Sequence, residues 1–238
     1  MFEKETIRKS GTNSHPKHIA ITLNGMKNWI EANRLDIAEG YRKSLKKIEE
    51  VLEFQVAENV NIVTFYILPE QKKKLDETSI FILELIDFFD RLKDSPLVND
   101  KKIKLSVIGK WYDLPSKLID SIKSMIEKTR DNTNFFVNFC INYNGHEEIV
   151  DACKMVGRQI KAERLDPDAI TKEIIRENMY SSNLVPPDII IKNGKHIKTD
   201  LFLWDSVNAV EFFSGKLWPE FQKADFLRAI KEYQKEAE

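Results

Sequence analysis

Cysteine is scarce in this sequence, and its scarcity excludes several kinds of site. Only Cys140 and Cys153 occur among the 238 residues, too few for a disulfide framework or a multi-cysteine zinc or iron–sulfur centre. The four histidines lack the i, i+4 spacing that places two metal ligands on one helix face. Glycine and proline number eight each, and they form neither a flexible linker nor a glycine-rich phosphate loop. The Gly-x-Ser-x-Gly nucleophile motif is also missing.

An excess of charge of either sign is missing as well. Against 38 Asp and Glu stand 37 Lys and Arg, for a formal net charge of −1 at pH 7, so no nucleic-acid-binding surface is expected. No apolar run reaches the roughly 20 residues that span a bilayer, and residues 1–14 are polar and mixed in charge, unlike a secretory signal. The sequence predicts a cytoplasmic protein without a transmembrane segment, flexible over residues 1–14 and forming one domain over residues 15–238.

Six short runs rich in β-branched and aromatic residues predict strands. Their near-continuous apolar character is typical of strands covered on both faces, as in parallel sheets. The runs are His18–Asn24, Asn61–Leu68, Lys102–Gly109, Phe135–Tyr143, Asp188–Lys192 and Ala209–Phe213.

Longer segments with helical spacing alternate with these runs. This alternation predicts an α/β fold built on a mainly parallel six-stranded central sheet flanked by helices. The predicted helices are Leu35–Val60, Ser79–Leu92, Pro115–Arg130, Glu147–Glu163 and Pro219–Ala237.

The segment Ser79–Leu92 is apolar nearly all round, which indicates a helix that is buried on every side. One interpretation is a helix in the core or in a dimer interface. The other is the wall of an apolar ligand cavity, in which Phe81, Leu85 and Phe89 contact the ligand.

Five segments along the chain form a recognisable set. They read HIAITLNGMKNW from His18, VIG followed by LP from Val107, NYNGHEEIVDA from Asn142, FLWDS from Phe202 and LWPEF from Leu217. In order and spacing they resemble the cis-prenyltransferases, the undecaprenyl diphosphate synthase family, and the resemblance extends from His15 to about Tyr233.

The resemblance implies a mostly parallel six-stranded sheet, an apolar tunnel for an isoprenoid chain and a homodimer. Members of the family join an allylic diphosphate to isopentenyl diphosphate. They stabilise the leaving diphosphate with Mg²⁺, backbone N–H groups and arginine side chains. An isoprenoid diphosphate is therefore the expected ligand.

The loop after the first strand departs from the family pattern at its metal position. Asn24 stands where the family has a magnesium-binding Asp, and its neutral oxygen attracts Mg²⁺ far less than a carboxylate. Gly25 and Trp29 are retained as candidate substrate contacts. The residues that wrap the diphosphate between them are replaced by Met26, Lys27 and Asn28.

Two catalytic positions of the family carry different residues here. Tyr41 aligns with a family histidine, and Gln71 aligns with a catalytic asparagine. Together with Asn24, these side chains are the catalytic candidates that the resemblance implies. Glu70, next to Gln71, matches the family residue and is a candidate substrate contact.

Lysine replaces arginine at positions that hold diphosphate in the family. Lys74 and Lys192 replace two arginines, and Lys198 or Ile197 replaces a third, depending on where a one-residue deletion is placed. Thr199 takes the place of a serine. Because lysine supplies positive charge without bidentate geometry, part of the diphosphate affinity is expected to remain.

The second metal carboxylate of the family is also out of place. It aligns with Val210, and Glu211 comes one position late. A slip of one residue turns a side chain to the other face of a strand, so Glu211 replaces the metal ligand only if a bulge shifts the register. No metal ligand is expected in register, and Mg²⁺ binding is expected to be weakened.

This pattern is compatible with two functions. The first is a divergent isoprenyl transferase that binds an allylic isoprenoid diphosphate in the tunnel and transfers or ionises the prenyl group with altered or reduced dependence on Mg²⁺. The second is a non-catalytic member, favoured by the loss of both metal carboxylates, that serves as a partner subunit or an isoprenoid-binding protein. The expected assembly is a homodimer or a heteromer with an active homologue.

Overall fold

Six strands form one sheet in the computed structural model, which describes residues 15–69, 75–194 and 199–236. They are β1 (His18–Thr22), β2 (Ile62–Pro69), β3 (Ile103–Ile108), β4 (Phe135–Tyr143), β5 (Ile189–Lys192) and β6 (Val210–Phe213). All neighbouring pairs are parallel, in the order β3-β4-β2-β1-β5-β6. Each strand overlaps one predicted run, which confirms the predicted α/β fold. The segment 1–14, predicted to be flexible, lies outside the described residues.

Helices connect the strands and cover the sheet. Those in the described ranges are α1 (Met26–Ala32), α2 (Ile37–Ala57), α3 (Leu75–Leu92), α4 (Pro96–Asp100), α5 (Ser116–Thr129), α6 (Gly145–Lys161), α7 (Lys172–Glu177) and α8 (Lys223–Glu236). The sequence does not predict α1, α4 and α7, because five to seven residues are too few to show a helical period. In these same ranges, no helix has both the length and the hydropathy needed to cross a membrane.

The two faces of the sheet carry different amounts of apolar material. On one face, strand residues such as Ile19, Phe65 and Phe139 join α2, α3, α5 and α8 in the main core. On the other face, a smaller cluster includes Ala20 and Tyr66. Both faces are therefore covered, as the near-continuous apolar strands predict.

The last predicted helix starts in a different place from the observed one. The sequence predicts a start at Pro219, but this residue lies in a 3-10 turn, Trp218–Glu220, and α8 starts at Lys223. Trp218 is fully buried, and its Nε1 donates a hydrogen bond of 2.8 Å to Ser44 O. This anchor fixes the turn before the helix begins.

Helix α3 is the segment predicted to be apolar nearly all round. Leu85 and Phe89 are fully buried, and the helix packs between α2 and α5. Leu83 is 62% exposed, and Glu84 accepts hydrogen bonds of 2.7 and 3.0 Å from Arg42 on α2. Most of α3 is therefore core, covered by helices of the same chain.

Candidate active site

The carboxyl ends of β1 and β2 open into a cavity of about 350 Å³, within the range of small-molecule sites. This is the edge at which parallel α/β sheets bind ligands. One side of the cavity is the polar loop that enters α1, and the other side is aliphatic and aromatic. The lining residues are Leu23, Asn24, Gly25, Met26, Lys27, Asn28, Tyr41, Tyr66, Ile67, Leu68, Pro69 and Phe81.

A glycine shapes the polar side of the cavity. Gly25 caps α1 with φ of +90°, a conformation that residues with a side chain rarely adopt. A Cβ at this position would lie 2.5 Å from Cδ2 of Leu217. The preceding carbonyl, Asn24 O, accepts a hydrogen bond of 2.9 Å from Trp218 N. The loop is thus fixed against the segment that leads into α8.

The turn after β5 supports the same loop. Asn193 is fully buried; its Nδ2 donates a hydrogen bond of 2.8 Å to Thr22 O, and its Oδ1 accepts one of 2.7 Å from Ser214 Oγ. A Cβ at the next residue, Gly194, would lie 3.6 Å from Cβ of Asn24. These contacts bring the ends of β1, β5 and β6 together beside Asn24.

Two aromatic side chains face each other on the apolar side of the cavity. Tyr41 on α2 and Phe81 on α3 are buried, and their rings meet edge to face with centroids 4.8 Å apart. The Arg42–Glu84 ion pair joins the same two helices close to these rings. The geometry holds two aromatic surfaces against whatever apolar group enters the cavity.

Tyr66 is among the residues that line the cavity, while its side chain packs in the smaller cluster on the other face of the sheet. Its hydroxyl lies 2.9 Å from Asp200 Oδ1 and 3.1 Å from Tyr143 O. Asp200 Oδ2 in turn accepts a hydrogen bond of 3.2 Å from Gly145 N. Sequence analysis misses this residue, because Tyr66 reads as one more apolar position of a buried strand.

A buried pair holds the segment that carries Asp200. The hydroxyl of Tyr143 donates to Glu148 Oε2 over 2.5 Å and accepts a hydrogen bond of 3.2 Å from Phe202 N. Ser181 N donates to the second oxygen of Glu148 over 2.9 Å. Burial raises the pKa of Glu148, and burial together with the nearby carboxylate raises the pKa of Tyr143. The phenol is therefore a stable, neutral hydrogen-bonding group.

Similarity to known proteins agrees with the geometry. The family model described as "Putative undecaprenyl diphosphate synthase" matches residues 22–238. The chain belongs to the undecaprenyl diphosphate synthase family. This confirms the resemblance seen in the sequence, and membership places the chain among the prenyltransferases of isoprenoid biosynthesis.

The chain is similar to curated relatives and to a solved structure. A protein of Thermoplasma volcanium named "Tritrans,polycis-undecaprenyl-diphosphate synthase (geranylgeranyl-diphosphate specific)" is 36% identical, over 92% of this chain and 86% of that protein. An "Isoprenyl transferase" of Halalkalibacterium halodurans is 28% identical, over 93% of this chain and 87% of its own. The crystal structure of lavandulyl diphosphate synthase from Lavandula x intermedia has the same fold, with a TM-score of 0.87 at 24% identity over 92% and 95% of the two chains.

Many of the predicted site residues meet at the cavity. Those that line it are Asn24, Gly25, Met26, Lys27, Asn28, Tyr41 and Phe81. The predicted residues Glu70, Gln71, Lys74 and Lys198 lie outside the described residues. Their roles stay predictions.

Other predicted site residues lie elsewhere. Leu85 and Phe89 are in the core and do not line the cavity, since their side chains point into the packing between helices. Trp29 is partly buried against the core. Thr199 Oγ1 accepts a hydrogen bond of 3.2 Å from Leu201 N. These side chains are not among the residues that line this cavity, and their roles as substrate contacts stay predictions.

Lys192, a predicted diphosphate contact, lies in a buried ion pair between β5 and β6, and its role toward diphosphate stays a prediction. Its side chain is 2% exposed, forms an ion pair with Glu211 and lies over the ring of Phe213. Strands β5 and β6 pair without a bulge, and Val210 pairs with Ile189. The register shift that would have made Glu211 a metal ligand is therefore absent, and its carboxylate is held by Lys192.

The fit of the site to Mg²⁺ can be judged from its donor atoms. In the described parts of the chain, no three His, Cys, Asp or Glu side chains lie close enough to hold a metal ion. Asn24 contributes a neutral amide oxygen, whereas Mg²⁺ is usually held by carboxylates and phosphates. The described residues do not form a magnesium site by themselves.

Proposed function

We propose that this chain is an isoprenyl transferase that binds an allylic isoprenoid diphosphate in the cavity at the ends of β1 and β2. The observation that carries the proposal is the two-sided lining of this cavity. Polar groups of the loop after β1 face aliphatic and aromatic side chains of β2, α2 and α3. An amphipathic ligand with a charged head and a hydrocarbon tail matches that division.

The polar side provides donors for a diphosphate. Lys27 supplies an ammonium group, and the side chains of Asn24 and Asn28 supply amide N–H groups. On the other side, the rings of Tyr41 and Phe81 are placed beside the prenyl group. Aromatic faces stabilise a nearby cation, so they favour ionisation of the allylic C–O bond.

The same site supports a reduced dependence on Mg²⁺. A neutral Asn24 and the absence of a carboxylate cluster among the described residues lower the expected affinity for the ion. Lys27 supplies positive charge at the cavity, and the resemblance implies the same role for Lys74 and Lys198, which lie outside the described residues. No step of the reaction is assigned to the metal.

The test is an incubation of the pure protein with labelled dimethylallyl, geranyl, farnesyl or geranylgeranyl diphosphate. Each is combined with isopentenyl diphosphate or with none, in Mg²⁺ or in EDTA, and all products are identified. Transfer or ionisation products that persist in EDTA support the proposal. Lys27→Gln should weaken binding of the allylic diphosphate about tenfold or more, while Lys128→Gln on the exposed side of α5 should leave it unchanged. Binding without any product contradicts a transferase.

One observation favours a second candidate, a non-catalytic partner subunit of an active homologue. Val210 stands at the second family metal position, the neighbouring Glu211 is paired with Lys192, and Asn24 has no charge, so neither family metal position provides a carboxylate in the described structure. This candidate predicts a heteromer, whereas the transferase is proposed to act as a homodimer. Turnover that appears only after mixing with an intact cis-prenyltransferase, with a co-purifying complex, decides for the second candidate.

A further inference from the structure

The rings of Tyr41 and Phe81 lie deep in the cavity of the proposed active site. Both residues are in the second turn of a helix that starts at the carboxyl edge of the sheet, α2 at Ile37 and α3 at Leu75. At a rise of about 1.5 Å per residue, they lie about 6 and 9 Å along the helix axes from these first residues. The two rings meet edge to face with centroids 4.8 Å apart and line the cavity.

The space beyond this pair of rings is filled by packed side chains. Leu45 and Leu85 lie four residues after the two aromatic residues, on the same helix faces and one turn farther from the carboxyl edge. Both leucines are fully buried and do not line the cavity. One more turn along α3, the ring of Phe89 packs on Phe139 of β4 with centroids 5.2 Å apart. Within the described ranges, the groove between α2 and α3 is therefore closed beyond the aromatic pair.

An ion pair next to the rings holds the two helices at this separation. Arg42, which follows Tyr41, donates from Nε and Nη2 to the two carboxylate oxygens of Glu84 over 3.0 and 2.7 Å. The side chain of Glu84 is 10% exposed, and a bidentate pair fixes the orientation of its partners as well as their distance. Movement of α2 away from α3 would stretch this pair, so the inner end of the cavity is held closed.

We infer that Tyr41 and Phe81 limit the length of the allylic substrate, and that the cavity accepts chains of one or two isoprene units. The inference rests on the proposed function. The cavity volume of about 350 Å³ is near the lower end of the range of about 300–1,000 Å³ for ligand pockets, and the diphosphate fills part of it. Dimethylallyl and geranyl diphosphate therefore fit, whereas the added isoprene units of farnesyl and geranylgeranyl diphosphate would meet the two rings.

The experiment measures the affinity of the pure protein for these four diphosphates by calorimetry, without isopentenyl diphosphate, so that no chain is transferred. We expect the wild type to bind farnesyl and geranylgeranyl diphosphate at least about tenfold more weakly than geranyl diphosphate, because even one misplaced methylene can cost that factor. Phe81→Ala removes a ring of six carbons, one more than an isoprene unit contains. Farnesyl diphosphate should therefore bind this variant within about threefold of geranyl diphosphate.

Phe54→Ala is the matched control, since it removes the same ring from a position on α2 away from the cavity. Phe54 is partly buried, and its ring packs against that of Phe226 with centroids 6.2 Å apart. The control should keep the wild-type order of affinities. If Phe81→Ala does not fold, Phe81→Leu decides the question, because it frees part of the same space and should raise the affinity for farnesyl diphosphate about threefold.

The outcomes separate this inference from the proposed function. A wild type that binds geranylgeranyl diphosphate as tightly as geranyl diphosphate overturns the inference alone. An unchanged order of affinities in the folded Phe81→Ala, or in Phe81→Leu if that variant is needed, does the same. A wild type that binds none of the four diphosphates overturns the proposed function as well.

Discussion

The ammonium of Lys192 contacts the carboxylate of Glu211 across neighbouring strands, as a diagonal pair on one face of the sheet. Glu211 pairs in register with Ile190, and Lys192 pairs with Phe213, whose ring centre lies 5.3 Å from the ammonium. The two partners differ in their access to water, since the side chain of Lys192 is 2% exposed and that of Glu211 is 47% exposed. The buried lysine therefore depends on the pair more than the glutamate does.

This difference in exposure predicts that substitutions of Glu211 and of Lys192 lower the free energy of unfolding by unequal amounts. Glu211→Gln leaves a buried ammonium without its counter-charge, and we expect a loss of about 3 kcal/mol in the free energy of unfolding. Lys192→Met fills the same space with an apolar side chain and leaves a half-exposed carboxylate, so we expect a loss of less than about 1 kcal/mol. Urea unfolding of both variants measures the difference. Equal losses of unfolding free energy in the two variants would contradict this prediction.

Asn24→Asp tests the metal position at the cavity. A carboxylate in place of the amide should let Mg²⁺ bind about tenfold more tightly in the presence of pyrophosphate, a gain of about 1.4 kcal/mol. Isothermal titration with Mg²⁺ measures the affinity. Asn208→Asp adds the same charge at an exposed position away from the cavity and should change nothing. If both variants bind Mg²⁺ like the wild type, Asn24 does not occupy a metal position.

His18 makes the stability of the fold depend on pH. The ring is fully buried, and burial lowers its pKa from 6.5 to about 4, although the Val185 carbonyl and the Asp188 carboxylate act in the opposite direction. The unfolded chain therefore binds a proton more readily than the native protein between these values. Stability is unaffected above about pH 6.5 and falls as the pH drops toward 4.

The size of this effect can be measured against a variant without the imidazole. Between pH 7.5 and pH 4.5, the wild type should lose about 2–3 kcal/mol more of its unfolding free energy than His18→Gln, because other titrating groups are common to both. Urea titrations at the two pH values provide the comparison. Parallel losses in the two proteins would show that His18 takes up its proton equally in the native and unfolded states.

Gly25→Ala should distort the polar side of the cavity. The change combines a φ of +90° with a Cβ 2.5 Å from Leu217 Cδ2. Gly215→Ala is the matched control, since φ there is +72° and no atom lies within 4 Å of the new Cβ. We expect the control to lose about 1 kcal/mol of stability and Gly25→Ala to lose about 1–3 kcal/mol more. Similar losses would mean that the loop yields to the extra methyl group at little cost.

The strands and the long helices could be predicted from the sequence because the residues of each segment indicate its structure. A strand buried on both faces requires several adjacent apolar residues, as in Phe135–Tyr143, and such a run is visible without knowledge of its neighbours. Short helices have too few residues to show such a pattern. Helix α1, Met26–Ala32, has one buried side chain, Ile30, and is held by the turn at Gly25 instead of by an apolar stripe.

The site was predictable only where the resemblance supplied positions. It pointed to Asn24 and Tyr41, which the structure brings to one cavity. The pairing of Lys192 with Glu211 was not predicted, because the direction of a side chain depends on strand register and not on alignment. The contact of Tyr66 with Asp200 spans 134 residues, and no pattern within a single segment reveals a contact of that length.

The strand order has a consequence for how such a protein acquires new chemistry. The chain leaves β1 toward β2 on one side and leaves β5 toward β6 on the other, so the connections diverge beside the loop after β1 that lines the cavity. This divergence is set by the strand order, and the loops around the cavity can change while the strand contacts stay intact. A protein of this topology can therefore exchange one reaction for another while its fold is kept. Its relationship to other members of the family is consequently clearer in the strands of the sheet than in the residues of the active site.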